Sequence, residues 1–228
     1  MNYDPTSLRW LPSTDAQVEF APSLRGHDLT PTLMPTPPAE CWGTLRFRPW
    51  RQADAPVYAA LLSDPDLWRY MPHITPGQLD LEQARALIAI TQDRRRHLVR
   101  AVLRKGVPVG QVRLHWQGSP KPLAKVELDY WLDKSAHGAG VGTRMVALFL
   151  WQTLRDFPHL QLVTVVIHRD NAPSRHLARR LGFVESGPKE AGSPWIEACM
   201  TRQIAARIDW GGLIRRKAER PTQRALQS

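Results

Sequence analysis

The stretch Leu128-Asp129-Tyr130-Trp131-Leu132-Asp133-Lys134-Ser135-Ala136-His137-Gly138-Ala139-Gly140-Val141-Gly142-Thr143 decides how the rest of the chain is read. It begins as an aromatic-rich strand and passes into a loop with glycine at every second position. It then opens onto Met145-Val146-Ala147-Leu148-Phe149-Leu150-Trp151, apolar on every side as a buried helix is. Strand, glycine loop and helix start aim backbone N–H groups and the positive end of a helix dipole at an anion. Side chains at 138, 140 and 142 would block that approach, and glycine also admits the positive φ that a nest of N–H groups requires. The loop reads as a phosphate cradle; a plain glycine-rich turn is the alternative.

What the loop lacks narrows its ligand. A P-loop needs Gly-Lys-Ser/Thr, whereas Gly142 is followed by Thr143-Arg144. A dinucleotide fingerprint starting at Gly138 would want glycine or alanine at 143, where this chain has threonine. Neither motif fits.

Upstream of the loop, Leu45-Arg46-Phe47-Arg48 alternates apolar and basic residues as a strand does. Asp54-Ala55-Pro56 predicts a helix start with Asp54 as its cap, and Ser63-Asp64-Pro65 ends that helix. A short segment, Leu67 to His73, precedes a second helix in which Asp80 and Gln83 have capping-box spacing. Leu98 to Leu103 and Val107 to Trp116 flank Lys105-Gly106 as a hairpin, with Pro108 marking an edge or a bulge.

Downstream, Leu160 to Ile167 predicts a near-continuously apolar strand, and Asn171-Ala172-Pro173 starts a helix with Ser174, Leu177, Ala178 and Leu181 on one face. Phe183 to Ser186 and Trp195 to Ile204 read as closing strands around the loop Gly187 to Pro194. The order predicts an α/β architecture, a mixed sheet with helices on both faces. Residues 1–41 read as a proline-rich flexible extension, 42–206 as the domain and 207–228 as a basic tail.

At 228 residues, 43% hydrophobic and 23% charged, the chain has the makings of one globular core. Its net charge of +10 is concentrated between an acidic N-terminal forty residues and the basic tail, a field that attracts anionic ligands. Two cysteines, Cys41 and Cys199, make no disulfide framework and suit a reducing cytoplasm. No run is long enough for a membrane span or shaped as a secretory signal, and the eight histidines show no metal-ligand spacing.

The run His137-Gly138-Ala139-Gly140-Val141-Gly142 resembles the pyrophosphate loop of GNAT-superfamily N-acetyltransferases, Gln/Arg-x-x-Gly-x-Gly/Ala, with His137 at the first position in place of glutamine or arginine. A second family signature is Asn171-x-x-Ser174-x-x-Leu177-x-x-x-Leu181-Gly182-Phe183. Leu45-Arg46-Phe47-Arg48-Pro49-Trp50 and Trp68-Arg69-Tyr70-Met71-Pro72 are similar to the RimJ/RimL-like branch, the ribosomal-protein alanine N-acetyltransferases. The resemblance covers residues 42–206 and implies the GNAT acyl-CoA N-acyltransferase fold. It also implies acetyl-CoA as co-substrate and direct attack by a primary amine in a ternary complex, the acceptor being the α-amine of a protein or peptide.

Such a reaction must hold the acyl donor, neutralise the amine, stabilise an oxyanion and supply a proton to the departing thiolate. The resemblance gives residues His137, Gly138, Ala139, Gly140, Val141, Gly142 and Thr143 to the pyrophosphate, and main-chain groups near Trp131 and Leu132 to the thioester, with Asn171 as helix cap and coenzyme contact. Glu127 and Asp129 lie on one face of a strand. Glu127 matches the position that carries the general base in several relatives, Asp129 is the reserve, and a half-exposed carboxylate paired to Lys125 or Arg113 is the alternative. Many relatives place a tyrosine as proton donor where this chain has Ala178; in the RimJ/RimL-like branch a serine one turn earlier takes that role, which Ser174 fits. Ser174 also reads as a small residue bonded back to Asn171. The acceptor amine is expected between the Leu67–His73 segment and the Gly187–Pro194 loop, with Trp68, Tyr70, His73 and Asp129 as contacts.

Three other functions compete. One is transfer to a small-molecule amine, although a basic protein repels polycations at long range. Another is a non-catalytic basic nucleic-acid-binding module using Arg207 to Arg224 as its arm, disfavoured because no recognition motif appears. The third is a family member that binds coenzyme A without turnover.

Overall fold

The computed structural model describes residues 44–71, 78–93, 96–116, 124–138 and 140–215. Its frame is one seven-stranded sheet in the order β1-β2-β3-β4-β5-β7-β6. The strands are β1 (Leu45–Arg48), β2 (His97–Arg104), β3 (Val107–His115), β4 (Lys125–Leu132), β5 (Leu162–His168), β6 (Val184–Pro188) and β7 (Trp195–Thr201). Only the β4–β5 neighbours run parallel; the other pairs are antiparallel. The mixed sheet expected from the element order is the one observed.

Helices cover the two faces unequally. Helix α4 (Val141–Asp156) is buried along most of its length, and with α5 (Ala172–Arg180) it packs on the face carrying Val126, Leu128, Val163 and Val165. Helices α1 (Ala55–Leu62), α2 (Pro65–Trp68) and α3 (Leu81–Thr91) form a second core on the opposite face with Val99, Ala101 and Trp131. That second core includes residues of β2 and β4 and none of β5 or β7, so it leaves the Glu127 side of the strands β5 and β7 as a separate surface.

Local signals and structure agree at several points. Asp80 and Gln83 form a reciprocal capping box. Pro108 sits at the irregularity where Val102 pairs with Gly110 but Leu103 with Pro108. Asp54 departs from expectation: its carboxylate does not cap α1 but accepts from Arg48 and from the Arg51 N–H, and Arg48 holds its pKa below the ordinary carboxylate value. The last strand also ends early. Thr201 caps α6 (Arg202–Ala206), where the sequence reads as strand through Ile204.

Within the basic C-terminal stretch, α7 (Trp210–Ile214) buries Trp210 and Ile214 against α4, and Arg144 Nε donates to Ile214 O at 2.9 Å. Residues 1–43 and 216–228 lie outside the described residues, as do His73 and Ala139.

Candidate active site

Helix α4 begins without a side-chain cap. Its N-cap, Gly140, has φ +70°, and Gly138 has φ +75°. A Cβ added at either would meet nothing within 4 Å, so the backbone conformation demands glycine while the space before the loop stays open. Gly142 serves a different purpose: a Cβ there would come within 3.2 Å of Leu177 Cδ1, so its smallness lets α5 approach α4. The N–H of Val141 donates to Gly138 O at 3.2 Å, and Thr143 follows in the first turn. His137 is exposed, and its Nε2 donates to Leu132 O at 2.8 Å, which ties the loop to β4.

Strand β4 opens away from β5 just before this loop. Their pairing runs Lys125↔Leu162, Val126↔Val163 and Glu127↔Thr164 and stops there, although β5 stays paired with β7 up to His168↔Trp195. The direction of the freed groups follows from alternation. Ala124 O accepts from β5 residues at one end of β4 and Asp133 N donates to Val109 O, on the β3 side, at the other. Along an unbroken strand, the N–H groups of Tyr130 and Leu132 therefore face the opening, past the last pair with β5, and the main-chain groups of Asp129 and Trp131 face β3. This corrects the expectation for Trp131. Its backbone serves the ladder and its side chain stacks on Trp50 in the second core, with ring centroids 6.4 Å apart.

On the α1-side face of β4, Glu127 lies opposite His115, and Asp129 opposite Arg113. Both Nε and Nη2 of Arg113 approach Asp129 Oδ2 at 2.8 Å. Glu127 has a looser partner, Lys189 Nζ at 3.7 Å. Burial, then the neighbouring charge of Asp129, pushes the Glu127 carboxyl above its ordinary pKa, with Lys189 and Arg113 pulling the other way. His115 is pushed down, chiefly by burial. Of the two carboxylates, Asp129 is engaged by a guanidinium, while Glu127 is the one tuned toward neutral pH. The partner Lys125 considered from sequence is replaced by Lys189, 62 residues away in the chain.

Across the opening, Asn171 caps α5 through its Oδ1, which accepts from Ser174 N at 3.2 Å. The Ser174 hydroxyl lies 2.7 Å from the hydroxyl of Tyr130. Tyr130 is one of the residues that sequence reasoning missed, because its partner lies 44 residues away. Burial pushes its phenol up to about 12, partly offset by the Ser174 bond.

The expected acceptor side is assembled in part. Tyr70 follows α2 and approaches His168, with centroids 5.7 Å apart, and His168 meets Trp195 edge-on at 5.1 Å. Tyr70 Oη also donates to Asp170 O at 3.3 Å. These contacts bring the segment after α2 to the strand ends that flank the 187–194 loop, and add His168 and Trp195 to the expected set. Trp68 does not belong to it: it is buried in the second core, with Nε1 donating to Leu62 O at 2.6 Å.

Comparison with known proteins fits this geometry. Residues 44–184 match the family model described as an acetyltransferase (GNAT) domain. Among solved structures, Mycobacterium smegmatis RimJ in complex with CoA-disulfide superposes with a TM-score of 0.61 at 20% identity, covering 75% of this chain and 90% of that one. The ribosomal L7/L12 α-N-protein acetyltransferase RimL in complex with coenzyme A gives 0.59 at 18% identity, covering 69% and 94%. An acetyltransferase from Salmonella typhimurium that modifies the N-terminal serine of ribosomal protein L7/L12 gives 0.57 at 17%, covering 69% and 95%. A search of the curated proteins found no match. At these identities the solved structures speak for the fold, and the family model for the membership. With its seven-stranded mixed sheet, uncapped glycine-loop helix and parted β4 and β5, the chain belongs to the GNAT acetyltransferase family.

Proposed function

We propose that this protein is a cytoplasmic, acetyl-CoA-dependent N-acetyltransferase whose acceptor is the α-amine of a peptide or protein N-terminus. The observation that carries the reading is one of position. The glycine loop, the parted strands and the tuned carboxylate Glu127 all belong to β4 or the turn that follows it. Acetyl-CoA supplies an activated acyl group on a thiol leaving group. The residues present fit it: Gly138 and Gly140 leave open space before an uncapped helix start, which suits a pyrophosphate. The N–H groups of Tyr130 and Leu132 face the gap, where an amide-bearing arm and a thioester carbonyl need donors.

In this reading the chain's residues divide the work. Glu127, charged once the pH exceeds its raised pKa, takes the proton of the acceptor ammonium directly or through water. Asp129 keeps Arg113 charge-balanced beside it. Tyr70, His168 and Trp195 form an aromatic wall for the chain that follows the reacting amine. Ser174 hydrogen-bonds the departing sulfur. The likeness to the L7/L12 α-N-protein acetyltransferases supports a protein N-terminus over a small amine, and so does the unfavourable long-range field for polycations.

The test is acetylation of a library of short peptides with free N-termini, read by mass. Acetyl groups are expected on α-amines, with Glu127→Gln slowing turnover by about 10²–10³-fold. Acetylation confined to polyamines or lysine side chains would overturn the acceptor assignment.

A further inference from the structure

The hydroxyl pair between Tyr130 and Ser174 spans the opening that the active-site reading uses. Tyr130 stands on β4 three residues past the last β4–β5 pair, Glu127↔Thr164. Ser174 stands in the first turn of α5, the helix that follows β5. A 2.7 Å contact thus joins the two arms at the point where the sheet no longer does.

Two hydroxyls sharing one hydrogen bond hold two protons, of which the bond uses one. With Tyr130 donating to Ser174 Oγ, the serine proton is left for an acceptor lying between the arms; in the reverse arrangement the phenol proton faces the Ser174 carbonyl, 3.5 Å away. The Ser174 main chain is fixed by its N–H donating to Asn171 Oδ1 at 3.2 Å. A lone serine hydroxyl rotates freely, whereas one held by the Tyr130 phenol has a defined direction. The aromatic body of Tyr130 packs on the main core, which keeps the phenol in place.

Resting on the acetyltransferase reading above, we propose that Tyr130 is a positioning residue for Ser174. Its phenol anchors the serine hydroxyl so that the pair presents one O–H to the sulfur that leaves the acyl group. As the carbon–sulfur bond breaks, its electron pair goes to sulfur, and the dyad donates a hydrogen bond to the developing thiolate while keeping both of its protons. The proton that finally makes the free thiol is the one removed from the acceptor amine, returned through solvent or Glu127. A phenol pushed up to about 12 suits a donor that is not meant to ionise.

The test uses bound coenzyme A and needs no acceptor. The ultraviolet absorbance of the thiolate is followed against pH for the complex with coenzyme A, minus the complex with desulfo-coenzyme A. Binding is checked by calorimetry and folding by thermal melting. A hydrogen-bonded thiolate should ionise below the free thiol. Ser174→Ala is expected to raise the bound thiol's pKa by about one to two units, and Tyr130→Phe, which keeps the ring, by a smaller amount in the same direction. The double variant should be no worse than Ser174→Ala, since Tyr130 acts through the serine. A bound thiol with the same pKa in the wild type and both variants would overturn the positioning role and leave the acetyltransferase reading standing. A double-variant shift equal to the sum of the single shifts would also overturn it. Failure of the folded wild type to bind coenzyme A would instead overturn the reading on which it rests.

Discussion

At Glu127, one carboxyl is balanced between burial and Asp129, which raise its pKa, and Lys189 and Arg113, which lower it. The sign of a lysine variant follows directly. Lys189→Met removes a positive charge 3.7 Å from the carboxylate, so the raised pKa rises further. The basic form is then populated only at higher pH, and the acidic limb of the kcat/KM profile should move up by about 0.3–1 pH unit at low salt. The acceptor amine titrates identically in both proteins, so a shift that depends on the variant reports Glu127. An unmoved limb would place the titrating base elsewhere. Residue-level chemistry was unevenly legible in sequence. Glu127, Asn171 and Ser174 were singled out in sequence because their spacing is local. Tyr130 and Lys189 were not, because each becomes meaningful only through a partner distant in the chain.

At the element scale, β4 does two jobs with alternate residues. The amides of Asp129 and Trp131 point into the ladder with β3, and those of Tyr130 and Leu132 into the opening. Amide exchange should show this as an alternation within one strand. Tyr130 and Leu132 are expected to exchange at least about tenfold faster than Asp129 and Trp131, and to become protected when acetyl-CoA binds. Uniform protection along 128–132 in the free protein would mean that the strands are not parted. The glycine loop was readable because left-handed φ at 138 and 140 has few solutions other than glycine. The role of Gly142 was not, since a glycine kept for helix packing looks the same in sequence as one kept for a ligand. Strand β7 was overextended for a similar reason: Ile204 continues the apolar pattern, but Thr201 caps a helix whose Arg202 is spent on the carbonyls of Leu154, Phe157 and Leu160.

The molecule as a whole buries more of its C-terminal region than charge suggests. Composition marks 207–228 as a basic tail; within it Trp210 is 1% exposed and donates Nε1 to Ala205 O at 2.9 Å. Trp210→Ala should cost about 3–5 kcal/mol in denaturant unfolding. A change under about 1 kcal/mol would mean that α7 contributes little to the fold. The overall α/β order was legible because apolar periodicity sets each element and the β4-loop-α4 unit sets the family. What escaped sequence were long-range pairings, which no local pattern encodes.

Calorimetric titration with acetyl-CoA shows whether the loop around Gly140 grips the phosphates of the donor. The wild type should bind with a favourable enthalpy. Gly140→Glu should abolish binding by charge repulsion and by filling the cradle. Gly140→Asn, a neutral residue that tolerates the left-handed conformation, should retain measurable affinity while folding cooperatively. Absence of binding to the folded wild type, or undiminished binding to Gly140→Glu, would contradict the account.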